Sequence, residues 1–135
     1  MHVYESAEDY LEAILVIGKR RSVVRSIDIA NELNFSKPSV SVAMKKLRES
    51  GHIEMDPDGF IHLLPSGREI AERIYERHRT LTDFFVYLGV PEETASADAC
   101  KVEHDLSPET FEKIKAHIRR VVGDGGAAAP DQAEK

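Results

Sequence analysis

Residues 26–50 restrict the fold of this 135-residue chain more than any other stretch. Ser26 is placed to cap a short helix over residues 27–33, with Ile29, Ala30 and Leu33 facing inward. Asn34 and Phe35 make a tight turn. Ser36 then caps a second helix that carries Pro38 in its first turn, where a missing N–H costs nothing. Val40, Met44 and Leu47 keep the i, i+4, i+7 spacing of a buried stripe, which leaves Lys37, Ser39, Ser41, Val42, Lys45 and Lys46 outward. A short helix, a tight turn and a polar, basic second helix make a helix-turn-helix. Gly51 ends the second helix. Residues 52–63 alternate about Asp56-Pro57-Asp58-Gly59, the signature of a β-hairpin, and a hairpin at this place is the wing of a winged helix. His52 and His62 fall in or beside the wing and are expected on its strand surface.

Charge agrees with a polyanion-binding head. Between Lys19 and Arg48 stand eight Lys or Arg against Asp28 and Glu32, a local +6, while the remainder carries −12 of a chain with formal charge −6. Such a split implies a basic face for double-stranded DNA and an acidic part with other work. The single cysteine excludes an intramolecular disulfide framework and points to a reducing, cytoplasmic setting. No apolar run has the length of a membrane span, and no signal peptide opens the chain, so no membrane partner is expected.

Residues 5–17 form a first helix with Tyr10, Leu11, Ile14, Leu15 and Val16 as its apolar face. Asp9 and Glu12 lie i, i+3 on another face, where a solvated acidic surface is the plainest explanation. Pro65 opens a long helix to about Leu88 whose Ile70, Ile74, Leu81, Phe84, Phe85 and Leu88 exceed what a small winged domain needs. Leu81, Phe84, Phe85 and Leu88 are therefore expected in a homodimer interface, since a symmetric DNA reader needs two heads at fixed spacing. A helix over 92–105 follows. Ser107 caps a last one with Phe111, Ile114, Ile118, Val121 and Val122 inward. The expected architecture is mainly α: a winged helix-turn-helix at 1–64, a helical dimerisation and metal-binding domain at 65–122, and a disordered tail at 123–135.

The metal expectation begins at Cys100-Lys101-Val102-Glu103-His104. A thiol, a carboxylate and an imidazole at offsets 0, +3 and +4 share one helical stripe and suit Zn²⁺, Fe²⁺ or Mn²⁺. A lone cysteine is also often a small core residue.

With Glu8-Asp9-Tyr10-Leu11-Glu12, Ser36-Lys37-Pro38-Ser39-Val40-Ser41, the Arg77-His78 pair and Cys100…Glu103-His104, residues 6–122 resemble the diphtheria-toxin-repressor family of metal-dependent transcriptional regulators. The likeness is greatest to its short manganese branch. The additional C-terminal SH3-like domain of the iron branch is expected to be missing. The resemblance implies metal ligation by Asp9, Glu12, His78, Cys100, Glu103 and His104, with up to two ions per subunit and with Glu12 and Glu103 at bridging positions. Two positions are hybrid. The manganese branch usually has Glu at the place of Cys100, and the iron branch has Met at the place of Asp9. The ancillary acid and imidazole of the iron branch fall on Thr82 and Ser96, which are poor ligands. Carboxylates suit Mn²⁺ or Fe²⁺, whereas a thiolate shifts preference toward Fe²⁺, Co²⁺ or Zn²⁺.

The expected function is a metal-dependent transcriptional repressor, with Mn²⁺ or Fe²⁺ tying the heads to the dimer body on a palindromic operator. Ser36, Ser39 and Ser41 are expected at phosphates or base edges, with Lys37 and Pro38 beside them. Arg25 and Lys45 supply phosphate attraction, and Val42 is suited to a thymine methyl. Two rivals belong to other classes. One is a winged-helix regulator governed by an organic ligand or by Cys100 oxidation. The other is a dinuclear metalloenzyme, for which neither a nucleophile nor a phosphate loop is visible.

Overall fold

A computed structural model describes residues 5–121. Residues 1–4 and 122–135 lie outside the described residues, and with them Val122 and the tail expected at 123–135. The chain divides into two compact units, Met1–Arg73 and Ile74–Lys135.

In the first unit, α1 (Glu5–Arg20), α2 (Ser26–Leu33) and α3 (Lys37–Glu49) precede a two-stranded antiparallel sheet of β1 (Ile53–Met55) and β2 (Ile61–Leu63). Helix α1 buries Tyr10, Leu11, Ala13, Ile14, Leu15 and Ile17, and its Tyr10 ring meets Phe35 edge-on at 5.7 Å. Burial, and then the negative charge of neighbouring Asp9, hold the Tyr10 hydroxyl above its ordinary pKa. Ser26 is the first helical residue of α2 rather than its cap. Arg25 is the cap in extended backbone, and Asp28 reaches back to accept its N–H at 2.9 Å. The turn into α3 runs through Asn34 at φ 59°, a left-handed conformation that asparagine tolerates. Ser36 caps α3 by accepting from the Ser39 N–H at 3.3 Å, and Val40, Met44 and Leu47 are buried as their spacing requires.

The sheet pairs Ile53 with Leu63, Glu54 with His62 and Met55 with Ile61. One Asp56 carboxylate oxygen accepts from the N–H groups of Asp58 and Phe60, both at 2.9 Å, and Gly59 takes the positive φ of 85°. The other faces His62 Nε2 at 2.9 Å. His62 is exposed as expected, but His52 is not a surface residue. It is 6% exposed, with Nδ1 2.8 Å from Ser66 Oγ, because the start of β1 tucks under the first turn of the next helix. That helix, α4 (Pro65–Tyr87), begins in the first unit and continues into the second.

The second unit comprises α4 from Ile74 onward, α5 (Glu92–Val102) and α6 (Pro108–Val121). Gly89 at φ 107° turns the chain after α4, and Ser107 Oγ caps α6 by accepting from Thr110 N at 3.1 Å. Ile74, Leu81, Ala95, Ala99, Phe111 and Ile118 are buried, while Val121, expected inward, is 40% exposed at the end of the described residues. No helix among the described residues is long and apolar enough to cross a membrane.

Candidate metal centre

Helix α5 sets the site. Ser96, Cys100 and Glu103 recur at i, i+4 and i+7 along it and share one stripe, while Ala95 and Ala99 are fully buried on the adjacent one. Glu103 caps the helix with its carboxylate inside the unit, entirely shielded from solvent. On α4, His78 lies half-buried beside it, with Nδ1 2.9 Å from Glu103 Oε1. The opposite ring nitrogen, Nε2, is 3.1 Å from Ser96 Oγ. His104, its side chain almost wholly buried, brings Nε2 to 3.4 Å from Glu103 Oε2. Cys100, Glu103 and His104 each offer a donor atom, and these lie within 4.8 Å of one another. Cys100 is exposed, so it is not the small core residue that a lone cysteine often is.

This donor set fits a divalent transition metal. A buried carboxylate is costly without a counter-charge, and Oε2 of Glu103 accepts no hydrogen bond among the described residues. Two imidazoles and a thiol around it supply nitrogen and sulfur donors of the kind that bind Fe²⁺, Co²⁺, Zn²⁺ or Mn²⁺.

Arg77, the neighbour of His78 on α4, holds the end of α5. It is 5% exposed, and its Nη1 donates to the carbonyls of Glu103 at 3.0 Å and Leu106 at 2.7 Å. Its guanidinium lies 5.1 Å from the centre of the Phe111 ring. A cation is thereby spent on the C-terminal end of α5, where helix carbonyls lack partners and the dipole is negative. It fixes the backbone that carries Glu103 and His104. The sequence signal was a charge within the buried spacing Ile74–Arg77–Leu81.

In the first unit, Asp9 and Glu12 are half-buried on α1. The α3 residues Ser36, Lys37, Pro38, Ser39, Ser41, Val42 and Lys45 are all exposed, Val42 at 55%. Ser36 and Ser39 also bond each other through their hydroxyls at 2.9 Å. Arg25 lies over the Phe60 ring of the wing at 4.8 Å, so a wing aromatic orients this cation. Arg20 and Arg21 pair with Glu32 at 2.6 Å and Asp28 at 2.9 Å. Among the residues assigned to dimerisation, Leu81 is 3% exposed and belongs to the protomer's own core, whereas Phe84 and Phe85 are half-buried and Leu88 is 61% exposed.

Comparison with known proteins agrees across both units. The profile of the iron-dependent repressor N-terminal DNA-binding domain matches residues 2–60, and that of the iron-dependent repressor metal-binding and dimerisation domain matches residues 64–124. A helix-turn-helix-type transcriptional regulator of Methanocaldococcus jannaschii is 37% identical over 118 residues, covering 86% of this chain and 94% of the relative. The transcriptional regulator MntR of Salmonella typhimurium is 35% identical over 119 residues, covering 88% and 76%. Among solved structures, IdeR of T. acidophilum superposes with TM-score 0.70 at 28% identity, covering 87% of this chain and 55% of that one. A manganese-dependent transcriptional repressor in complex with manganese gives TM-score 0.76 at 29% identity, covering 83% and 52%. The chain thus spans about half the length of these two solved relatives.

Proposed function

Since the chain belongs to the iron-dependent repressor family, also called the diphtheria-toxin-repressor family, we propose that it is a repressor binding operator DNA in response to Mn²⁺ or Fe²⁺. The observation that carries the metal half is the buried Glu103 carboxylate, ringed by His78, Cys100 and His104, with one oxygen accepting no hydrogen bond among the described residues. The DNA half is supported by the match of the N-terminal domain and by the exposed α3 surface.

In this proposal Asp9 and Glu12 of α1 join the ligands, as family membership supports, and up to two ions are held per subunit. A bound divalent ion supplies positive charge that offsets repulsion among the clustered acids. The chain's own residues do the rest. Metal ligation lowers the orientational freedom of the heads in a homodimer before DNA is met, so less is lost on binding a palindromic operator. A coupling of roughly 1–3 kcal/mol changes operator affinity about 5–150-fold, sufficient for a sensor. Ser36, Lys37, Pro38, Ser39, Ser41, Val42 and Lys45 face DNA, with Arg25 at the wing. Phe84, Phe85 and Leu88 contribute to the dimer contact.

The test is fluorescence anisotropy on operator DNA with chelator, Mn²⁺, anaerobic Fe²⁺, Co²⁺ and Zn²⁺, with Glu103→Ala as control. Affinity rising only with metal, and only in the unsubstituted protein, is the expected result. Equal affinity under every condition refutes the sensor.

A further inference from the structure

We infer that Phe60 is a positioning residue for DNA binding: from the wing, its ring holds the Arg25 guanidinium ready for a phosphate without neutralising it. The inference rests on the placement of Arg25 at DNA proposed above, and it gives a role to a wing residue outside the proposed DNA contacts.

Three arginines lead from α1 into α2, and their surroundings differ. Arg20 and Arg21 face carboxylates of α2, Glu32 at 2.6 Å and Asp28 at 2.9 Å. The Arg25 guanidinium faces no carboxylate among the described residues and instead lies over the Phe60 ring, 4.8 Å from its centre. The difference matters to a polyanion. A carboxylate restrains a guanidinium by neutralising it, so the pair must open before a phosphate can take its place. An aromatic ring restrains it through the negative face of its π system, and neither the positive charge nor the donors at the guanidinium edge are consumed.

Both partners are fixed at the backbone. Asp28 accepts the Arg25 N–H at 2.9 Å, which anchors the root of the side chain at the N-terminus of α2. On the wing, the Asp56 carboxylate accepts the Phe60 N–H at 2.9 Å, and the Asp56 N–H donates to the Phe60 carbonyl at 2.9 Å. The next residue, Ile61, donates to the Val24 carbonyl at 2.8 Å, and this bond sets Arg25 opposite Phe60. Arg25 is exposed and Phe60 half-buried, so the cation reaches solvent across a ring that is itself held. An arginine free to rotate loses that freedom on gripping a phosphate, at a cost of about 2–10-fold in affinity for one immobilised side chain. Held over Phe60, it has less to lose. The wing thereby contributes to affinity through a residue that need not touch DNA.

The experiment uses the full chain with excess Mn²⁺ and an operator selected from random duplexes by the wild-type protein. Phe60→Leu and Phe60→Met keep an apolar side chain without the ring, Phe60→Tyr keeps the ring, and circular dichroism checks folding. Fluorescence anisotropy over a range of salt gives affinity and its salt slope. Phe60→Leu and Phe60→Met should each bind about 2–10-fold more weakly per head, with the slope unchanged because Arg25 still reaches its phosphate. Arg25→Ala should lower the slope by about 0.9 per head, and Phe60→Leu in that background should cost nothing further. Phe60→Tyr should bind as wild type does. Wild-type affinity in the variants without a ring, an equal loss with Arg25 absent, or a Phe60→Tyr protein as weak as Phe60→Leu overturns this inference alone. An Arg25→Ala protein with unchanged affinity and slope overturns the placement of Arg25 at DNA and the inference with it. Failure of the wild-type protein to select any duplex with Mn²⁺ overturns the proposed function as well.

Discussion

Replacing Gly67 by alanine is the most exacting test of how the wing is joined to α4. Gly67 is buried in the first turn of that helix with ordinary helical backbone, so conformational freedom is not its purpose. A Cβ there would stand 2.1 Å from the His52 carbonyl oxygen, 3.0 Å from its carbon and 3.3 Å from its Cβ. The first of these distances must grow by roughly an ångström or more to reach ordinary contact, and the obstructing atom is backbone that cannot rotate aside. The same oxygen accepts the Leu64 N–H at 2.9 Å, so moving it weakens a bond at the base of the hairpin. Overpacking of this kind costs about 1–3 kcal/mol and the weakened bond about 1 kcal/mol, against about 1 kcal/mol returned by alanine's better helix propensity. A net loss of about 2 kcal/mol should lower Tm by roughly 6–10 °C in a chain of this length. Thermal and urea unfolding with chelator present would measure it, and hydrogen exchange should show the loss concentrated at Ile53 and Leu64. A Gly67→Ala protein as stable as wild type would refute the close approach of α4 to the start of β1.

Other substitutions probe the site and the wing. Arg77→Met should destabilise by about 2–4 kcal/mol in urea unfolding, because the Glu103 and Leu106 carbonyls lose a charged donor within the protein. Neutral stability would mean that the α5 end does not need it. The hydrogen bond from His62, and then the Phe60 N–H, hold the Asp56 carboxyl below its ordinary pKa of 3.8. A lowered carboxylate pKa contributes stability above the unfolded value and loses it as pH falls through the folded one. Wing amides at Asp58 and Phe60 should therefore stay ordered through pH 3.8 and shift only below it in an NMR titration, and a midpoint at or above 3.8 would contradict the bonding seen. Cys100→Ser should shift metal selectivity from Co²⁺ and Zn²⁺ toward Mn²⁺ and abolish the thiolate-to-Co²⁺ charge-transfer band. An unchanged Co²⁺ spectrum would remove the thiol from the ligand set.

Much of the head was readable in the chain because its signals are local. A serine cap, a proline in the first turn and a three-residue stripe specify α3 without help from elsewhere, and the structure keeps Ser36, Val40, Met44 and Leu47 in those roles. Where two adjacent residues competed, locality failed. Ser26 is the better intrinsic cap, but Asp28 can satisfy the Arg25 N–H only if the helix starts one residue earlier than that cap implies. His52 looked like a strand-surface residue because alternation says nothing of a helix arriving fourteen residues later with Ser66 and a glycine that lets it close in. In the second unit, Cys100, Glu103 and His104 announced themselves by helical offset. Ser96 did not, since a serine on a helix is ordinary until an imidazole from another helix is set against it. Leu81 is buried within the protomer, which periodicity could not say, since it marks a buried face without telling whether the protomer or its partner covers it.

The ion pairs of Arg20 with Glu32 and of Arg21 with Asp28 bear on how the head would feel salt. Two of the eight cations between Lys19 and Arg48 already face carboxylates of α2, and using them on phosphates would require those pairs to open first. Each phosphate neutralised on duplex DNA releases condensed counterions and contributes about 0.9 to the fall of log K with log salt. A protomer that engaged all eight would show a slope of roughly 7, and one that leaves these two in place roughly 5. Helix α2 would thus trim the sequence-independent pull of the head and leave a larger share of operator affinity to the contacts proposed for α3.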